Sequence, residues 1–130
     1  MRISDFNGVT HYAVDLEQID KILDQRHGGG FNEFFLARGD EKYPVIVVQV
    51  SGCLACVHYL PREDDPGFVS LGDLKSVGLE PGGKTTFYMR PNYPIWAINE
   101  QVIPFSQALK AAHEFSANPG LPNSIRWFEL

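Results

Sequence analysis

The residues best suited to chemistry by type and spacing are Cys53 and Cys56, in the string Cys-Leu-Ala-Cys. A C-x-x-C pair serves as a redox dithiol or as half of a zinc site. The redox version usually opens a helix, whose dipole favours the thiolate. This pair instead follows a turn and enters the strand-like run CLACVHYL (53–60). Positions i and i+3 of a strand point to opposite faces, so the sulfurs diverge. Zinc would need two further ligands, and there is no second C-x-x-C and no H-x-x-x-H. Packing is therefore preferred over chemistry for both thiols. His58 shares strand parity with Cys56, but neighbours at i and i+2 stand about 6–7 Å apart by strand rise. A Cys–His dyad needs about 2.6–3.2 Å, so no direct contact is expected.

The other candidates are weaker. Gly28–Gly30 and Pro81–Gly83 lack the spaced glycines and the Lys-Ser/Thr pair of phosphate loops, and turn chemistry explains them. Ser51 and Ser70 lack the first glycine of G-x-S-x-G. His11, His27 and His113 lie on separate elements. The acids Glu63, Asp64 and Asp65 form a dense cluster between Pro61 and Pro66, the pattern of a solvated loop. Tyr93 and Trp96, with acids near in sequence, suit a protein–protein contact. A core position for Trp96 is the competing and slightly preferred reading.

These residues are positioned by a chain that reads as strands between two helices. Residues 8–14 read as a strand. Leu16, Ile19, Ile22 and Leu23 share a helical face, with Asp15 and Gln18 as a reciprocal cap, which predicts a helix over 16–26 stopped by Gly28–Gly30. Strands follow at 31–38, 43–51 and 53–60, with a tight turn at Ser51-Gly52 and a weakly marked strand at 67–74. The run Val45–Val48 is apolar at both parities, as a central strand covered on both faces would be. Residues 84–90 alternate and predict a strand, and 91–99, with two prolines, an irregular connection. Phe105, Ala108, Leu109, Ala112 and Phe115 recur at helical spacing, predicting a helix over 105–117 behind Pro104. Residues 124–130 predict a last strand. Most connections are too short for parallel crossovers. The expected fold class is α+β: a mostly antiparallel β-sheet with two principal helices, 16–26 and 105–117, packed on it.

At 130 residues the chain is expected to form one domain spanning 1–130, long enough for a core without staples. Sixteen acids against eleven bases give a net charge of -5, which argues against a direct nucleic-acid or anionic-membrane binder. Two cysteines make no disulfide scaffold. With no apolar run long enough to span a membrane and no signal-like N-terminus, the expected compartment is the cytoplasm.

A resemblance adds to this reading. The chain carries Ala55-x-Val57-His58-Tyr59-Leu60-Pro61 and Pro66-Gly67-Phe68-x-Ser70-x-Gly72. Further on it carries Ala108-Leu109-x-Ala111-x-x-Glu114-Phe115, Gly120-x-Pro122 and Ile125-x-Trp127. In this order, across the blocks 55–72 and 105–127, it resembles the first-numbered family of immunity proteins from bacterial polymorphic toxin systems. The resemblance implies a non-catalytic antitoxin that binds a cognate toxin domain and blocks its active site. Toxins found beside that family include nucleic-acid deaminases. The shared residues read as fold determinants, with Gly67 and Gly120 in turns and Phe115 and Trp127 in a core, so no binding site is carried over from them.

An acidic protein that plugs the basic cleft of a nucleic-acid-acting toxin gains electrostatic steering and partner selection. The candidate toxin-contacting residues are Glu63, Asp64, Asp65, Asp73, Glu80 and Trp96. No catalytic residue, cofactor or metal is expected, and the chain is expected to be a monomer or weak homodimer. The rival readings are a small thiol-dependent enzyme or redox protein using Cys53, Cys56 and His58, and a small-molecule-binding or dimerising domain using Tyr93 and Trp96.

Overall fold

A computed structural model describes residues 1–130. Its centre is β4 (Val45–Ser51), the run apolar at both parities. β3 (Phe31–Ala37) and β5 (Leu54–Leu60) pair antiparallel on either side of it. Outside β3 lie β1 (Arg2–Ser4) and then β2 (Thr10–Tyr12). Outside β5 lie β6 (Phe68–Leu71) and then β10 (Arg126–Glu129). All these pairings are antiparallel, so the α+β class with an antiparallel sheet holds.

β6 shares one edge of β5 with the two-residue β9 (Ile103–Pro104). Ser70 fills the gap between them: its Oγ accepts from the Val57 N–H at 3.1 Å and donates to the Gln101 carbonyl at 2.7 Å. Two glycines let the chain close on this edge. A Cβ at Gly72 would lie 1.9 Å from the Val102 carbonyl oxygen, and one at Gly67 2.2 Å from that of Tyr59.

One face of the sheet is covered by α1 (Leu16–Leu23) and α3 (Phe105–Ala117). Ile19, Ile22 and Leu23 of α1 and Ala108, Ala111, Ala112 and Phe115 of α3 pack on Phe34, Leu36, Ile46, Val48, Val50, Ala55 and Val57 in one 19-residue core. His113 Nε2 and Asp20 Oδ1, 2.6 Å apart, clasp the two helices. The other face carries a hairpin of β7 (Lys84–Arg90) and β8 (Tyr93–Ile98), a separate two-stranded sheet. It buries a second, five-residue cluster of Cys56, Val69, Phe87, Ala97 and Val102. No helix is long and apolar enough to cross a membrane.

The structure departs from the sequence expectations at several points. The first helix ends at Leu23 rather than residue 26, capped at Asp24, so the glycine run forms the following turn instead of stopping the helix. The first strand is confined to Thr10–Tyr12, and Arg2–Ser4 is an additional strand with no sequence signal. The weak strand at 67–74 stops at Leu71; Asp73 caps a one-turn helix, α2 (Leu74–Val77). Residues 91–99 are not irregular, because Tyr93–Ile98 pairs with β7. Pro94 is tolerated there because this hairpin is two strands wide and every strand is an edge.

Candidate functional site

The hairpin carries two exposed aromatics, Tyr93 and Trp96, above a row of buried polar groups on the sheet. Strand alternation sorts the hairpin itself. Phe87 and Ala97 point inward and are buried. Trp96, two-thirds exposed, lies opposite Thr86 on the outer face, and Ile98 lies opposite Lys84. Trp96 is therefore not core: period 2 places it outward because its neighbours Ile95 and Ala97 are the inward residues. Lys84 Nζ sits 5.1 Å from the Trp96 ring centre, and the Arg90 guanidinium 4.8 Å from that of Tyr93. Both cations thus lean on aromatic faces. Tyr93 and Met89 are also exposed.

Carboxylates gather at the base of the hairpin. Asp73 caps α2, accepting from the Lys75 N–H at 3.1 Å. Glu80 is exposed, and its carbonyl accepts from Asn99 Nδ2. Glu100 Oε2 accepts from the Gly82 N–H, while its Oε1 is buried without a partner. Asp73, Glu80 and Trp96 thus belong to one end of the molecule. Glu63, Asp64 and Asp65 lie at the other, beyond Leu60, and the seven residues of β5 separate the two ends by about 20 Å. Glu63 and Asp64 are exposed. Asp65 is committed to its loop, with Oδ1 accepting from the Gly67 N–H at 2.8 Å and Oδ2 3.4 Å from Arg62. The six candidate residues do not form one patch.

Beneath the hairpin a polar row crosses the sheet. Glu33 pairs with Gln49, and Gln49 with Cys56. Gln49 Nε2 donates to Glu33 Oε2 at 2.9 Å. Burial pushes the Glu33 carboxyl up to about 7, opposed by that hydrogen bond. Burial pushes the Cys56 thiol up to about 12, opposed by Ser70. His58 is drawn below the usual imidazole range by burial. Its Nε2 stands 3.9 Å from Cys56 Sγ, closer than strand rise suggests, because rise separates Cα atoms and the side chains lean together. A protonated thiol beside a neutral imidazole is a weak polar contact and no nucleophile. Cys53 is exposed and Cys56 buried, but not through strand parity: β5 begins at Leu54 and Cys53 lies in the turn before it.

Sequence reasoning missed Glu33 and Glu100. The signal for Glu33 was present: an acid between apolar residues in FNEFF, on a strand next to the doubly covered one. No protein-family model matches the chain, and neither does any curated protein.

Proposed function

We propose that this chain is a stoichiometric protein inhibitor, an immunity-type antitoxin that occludes a cognate toxin domain. The observation that carries this reading is the outer face of the β7–β8 hairpin. There Trp96 and Ile98 stand exposed, with Tyr93 and Met89 exposed on the same hairpin, above a base bearing Asp73 and Glu80. The immediate neighbours of the exposed aromatics are Lys84 and Arg90, so the steering field comes from the carboxylates at the hairpin's base and the net charge of -5. The aromatics themselves have the composition of an interface hot spot. Such a surface fits a basic cleft, as in a toxin acting on nucleic acid, the deaminase type included. The thiol-enzyme alternative loses support, because Cys56 is buried and its thiol is held protonated.

The test is co-expression with the toxin domain encoded by the neighbouring reading frame, followed by affinity measurement at several salt concentrations. Trp96→Ala is expected to weaken binding by about 2 kcal/mol or more, roughly thirtyfold, as hot-spot truncations do. Reversal of Asp73 and Glu80 to Lys is expected to slow association and flatten its salt dependence. The Glu63, Asp64, Asp65 triple Lys variant reports the same for the opposite end. Failure of the domains to associate overturns the reading. Normal binding by all three variants removes both proposed contact surfaces.

A further inference from the structure

The β7–β8 hairpin is attached to the rest of the sheet in an unusual way. Residues 84–98 make no hydrogen bond and no ion pair with the main sheet. Apart from the Thr85 Oγ1 hydrogen bond to Asn99 Oδ1 at the hairpin's base, 2.7 Å, apolar contact holds them down. Phe87 and Ala97 pack on Cys56, Val69 and Val102, and Tyr88 packs on Phe31 with ring centres 4.5 Å apart. β7 lies against β3 and β4, and on this face of those strands stand Glu33 and Gln49. Glu33 is only 2% exposed. Gln49 is its one side-chain hydrogen-bond partner, and no Lys, Arg or His lies within 4.0 Å of its carboxylate. A carboxylate buried beneath this cover without a cation is costly when charged and tolerable when neutral.

We propose that the hairpin is a proton-controlled lid, closing over Glu33 when its carboxyl is protonated and lifting when it ionises. The inference is independent of the toxin reading, although the lid carries Trp96 and would govern how that residue is presented.

The sign follows from linkage. With the lid closed, Glu33 titrates at about 7; once wetted it returns towards 4.5. Between these values the closed form holds a proton that the open form has lost. The opening constant therefore rises with pH across that window and levels off above 7, by about 300-fold in all. Between pH 5 and 7 the rise is roughly 40-fold.

The groups around Glu33 do not supply this behaviour. The inward residues of β7 and β8, Thr85, Phe87, Ile95 and Ala97, are uncharged, as is Gln49 on β4. Lys84 and Arg90 sit over Trp96 and Tyr93. On β5, Cys56 titrates near 12, outside the window. His58 has the opposite sign: burial lowers it, so its protonation favours opening as pH falls. Tyr88 belongs to the lid and packs on Phe31 beside Glu33.

The experiment uses the isolated protein, without a partner. Hydrogen exchange of the hairpin amides is measured by NMR from pH 4.5 to 8.5, each rate divided by its unstructured rate at the same pH. A two-stranded hairpin off its sheet is marginal in water, so lifting exposes these amides. Their protection is expected to fall roughly 40-fold between pH 5 and 7, while β4 amides change far less. Glu33→Gln, a mimic of the neutral acid, should abolish that fall and leave only the opposite slope of His58. The Glu33 carboxyl carbon, followed in the unaltered protein, gives a reading even if the variant does not fold. A midpoint near 4.5, or hairpin protection that stays flat with pH, overturns the proposal.

Discussion

Phe87→Ala tests whether the hairpin is a separately unfolding unit. Phe87 is fully buried at the centre of the five-residue cluster, and no hydrogen bond ties its strand to the main sheet. Removing a buried Phe side chain costs about 3–5 kcal/mol, part lost transfer and part cavity. At about 1.4 kcal/mol per decade, the hairpin's opening constant should rise by roughly two to three and a half orders of magnitude. The 19-residue core on the far face loses no contact with a deleted atom, because Phe87 is not among its members. The loss should therefore stay local. Amide exchange is the assay: protection is expected to collapse across 84–98 and to hold within about tenfold in β3, β4 and β5. Phe115→Ala is the control, since Phe115 is fully buried in the main core and its loss should lower protection everywhere. If Phe87→Ala lowers protection equally in hairpin and sheet, the two form one cooperative unit and the reasoning fails.

Two further predictions follow from single positions. Gly67→Ala should cost at least about 2 kcal/mol in a denaturant titration, since Gly67 has φ +75° and its added Cβ would lie 2.2 Å from the Tyr59 carbonyl oxygen. A loss under 0.5 kcal/mol would mean that the β5–β6 loop yields freely. In a thiol titration with an aromatic disulfide at pH 8, one group per chain, Cys53, should react in the native state. Cys56 should react only after unfolding, because it is buried with its thiol pushed up to about 12. Two fast thiols in the native protein would reopen the redox reading.

Much of the fold was legible because it rests on local patterns. The apolar run at Val45–Val48 announces a strand covered on both sides, and it is the centre of the sheet. Helical spacing marks both principal helices. The glycine run suggests a helix reaching residue 26, whereas the apolar face is exhausted at Leu23 and the helix ends there. Tyr93–Ile98 is hidden by Pro91 before it and Pro94 within it, since proline excludes a central strand but not an edge. The candidate site was less legible. Adjacent acids look like one patch in the sequence, yet β5 carries Glu63–Asp65 and Glu80 to opposite ends.

Alternation, capping and charge balance, all properties of neighbours in the chain, determined the α+β class, the two principal helices, the central strand and the acidic surface. Only the tertiary structure decided which half of the hairpin faces water, and with it that Trp96 is exposed and Glu33 sealed. The reason is that alternation fixes which residues share a side, whereas burial depends on what comes to cover that side. Here the cover of Glu33 is a hairpin some fifty residues further along the chain.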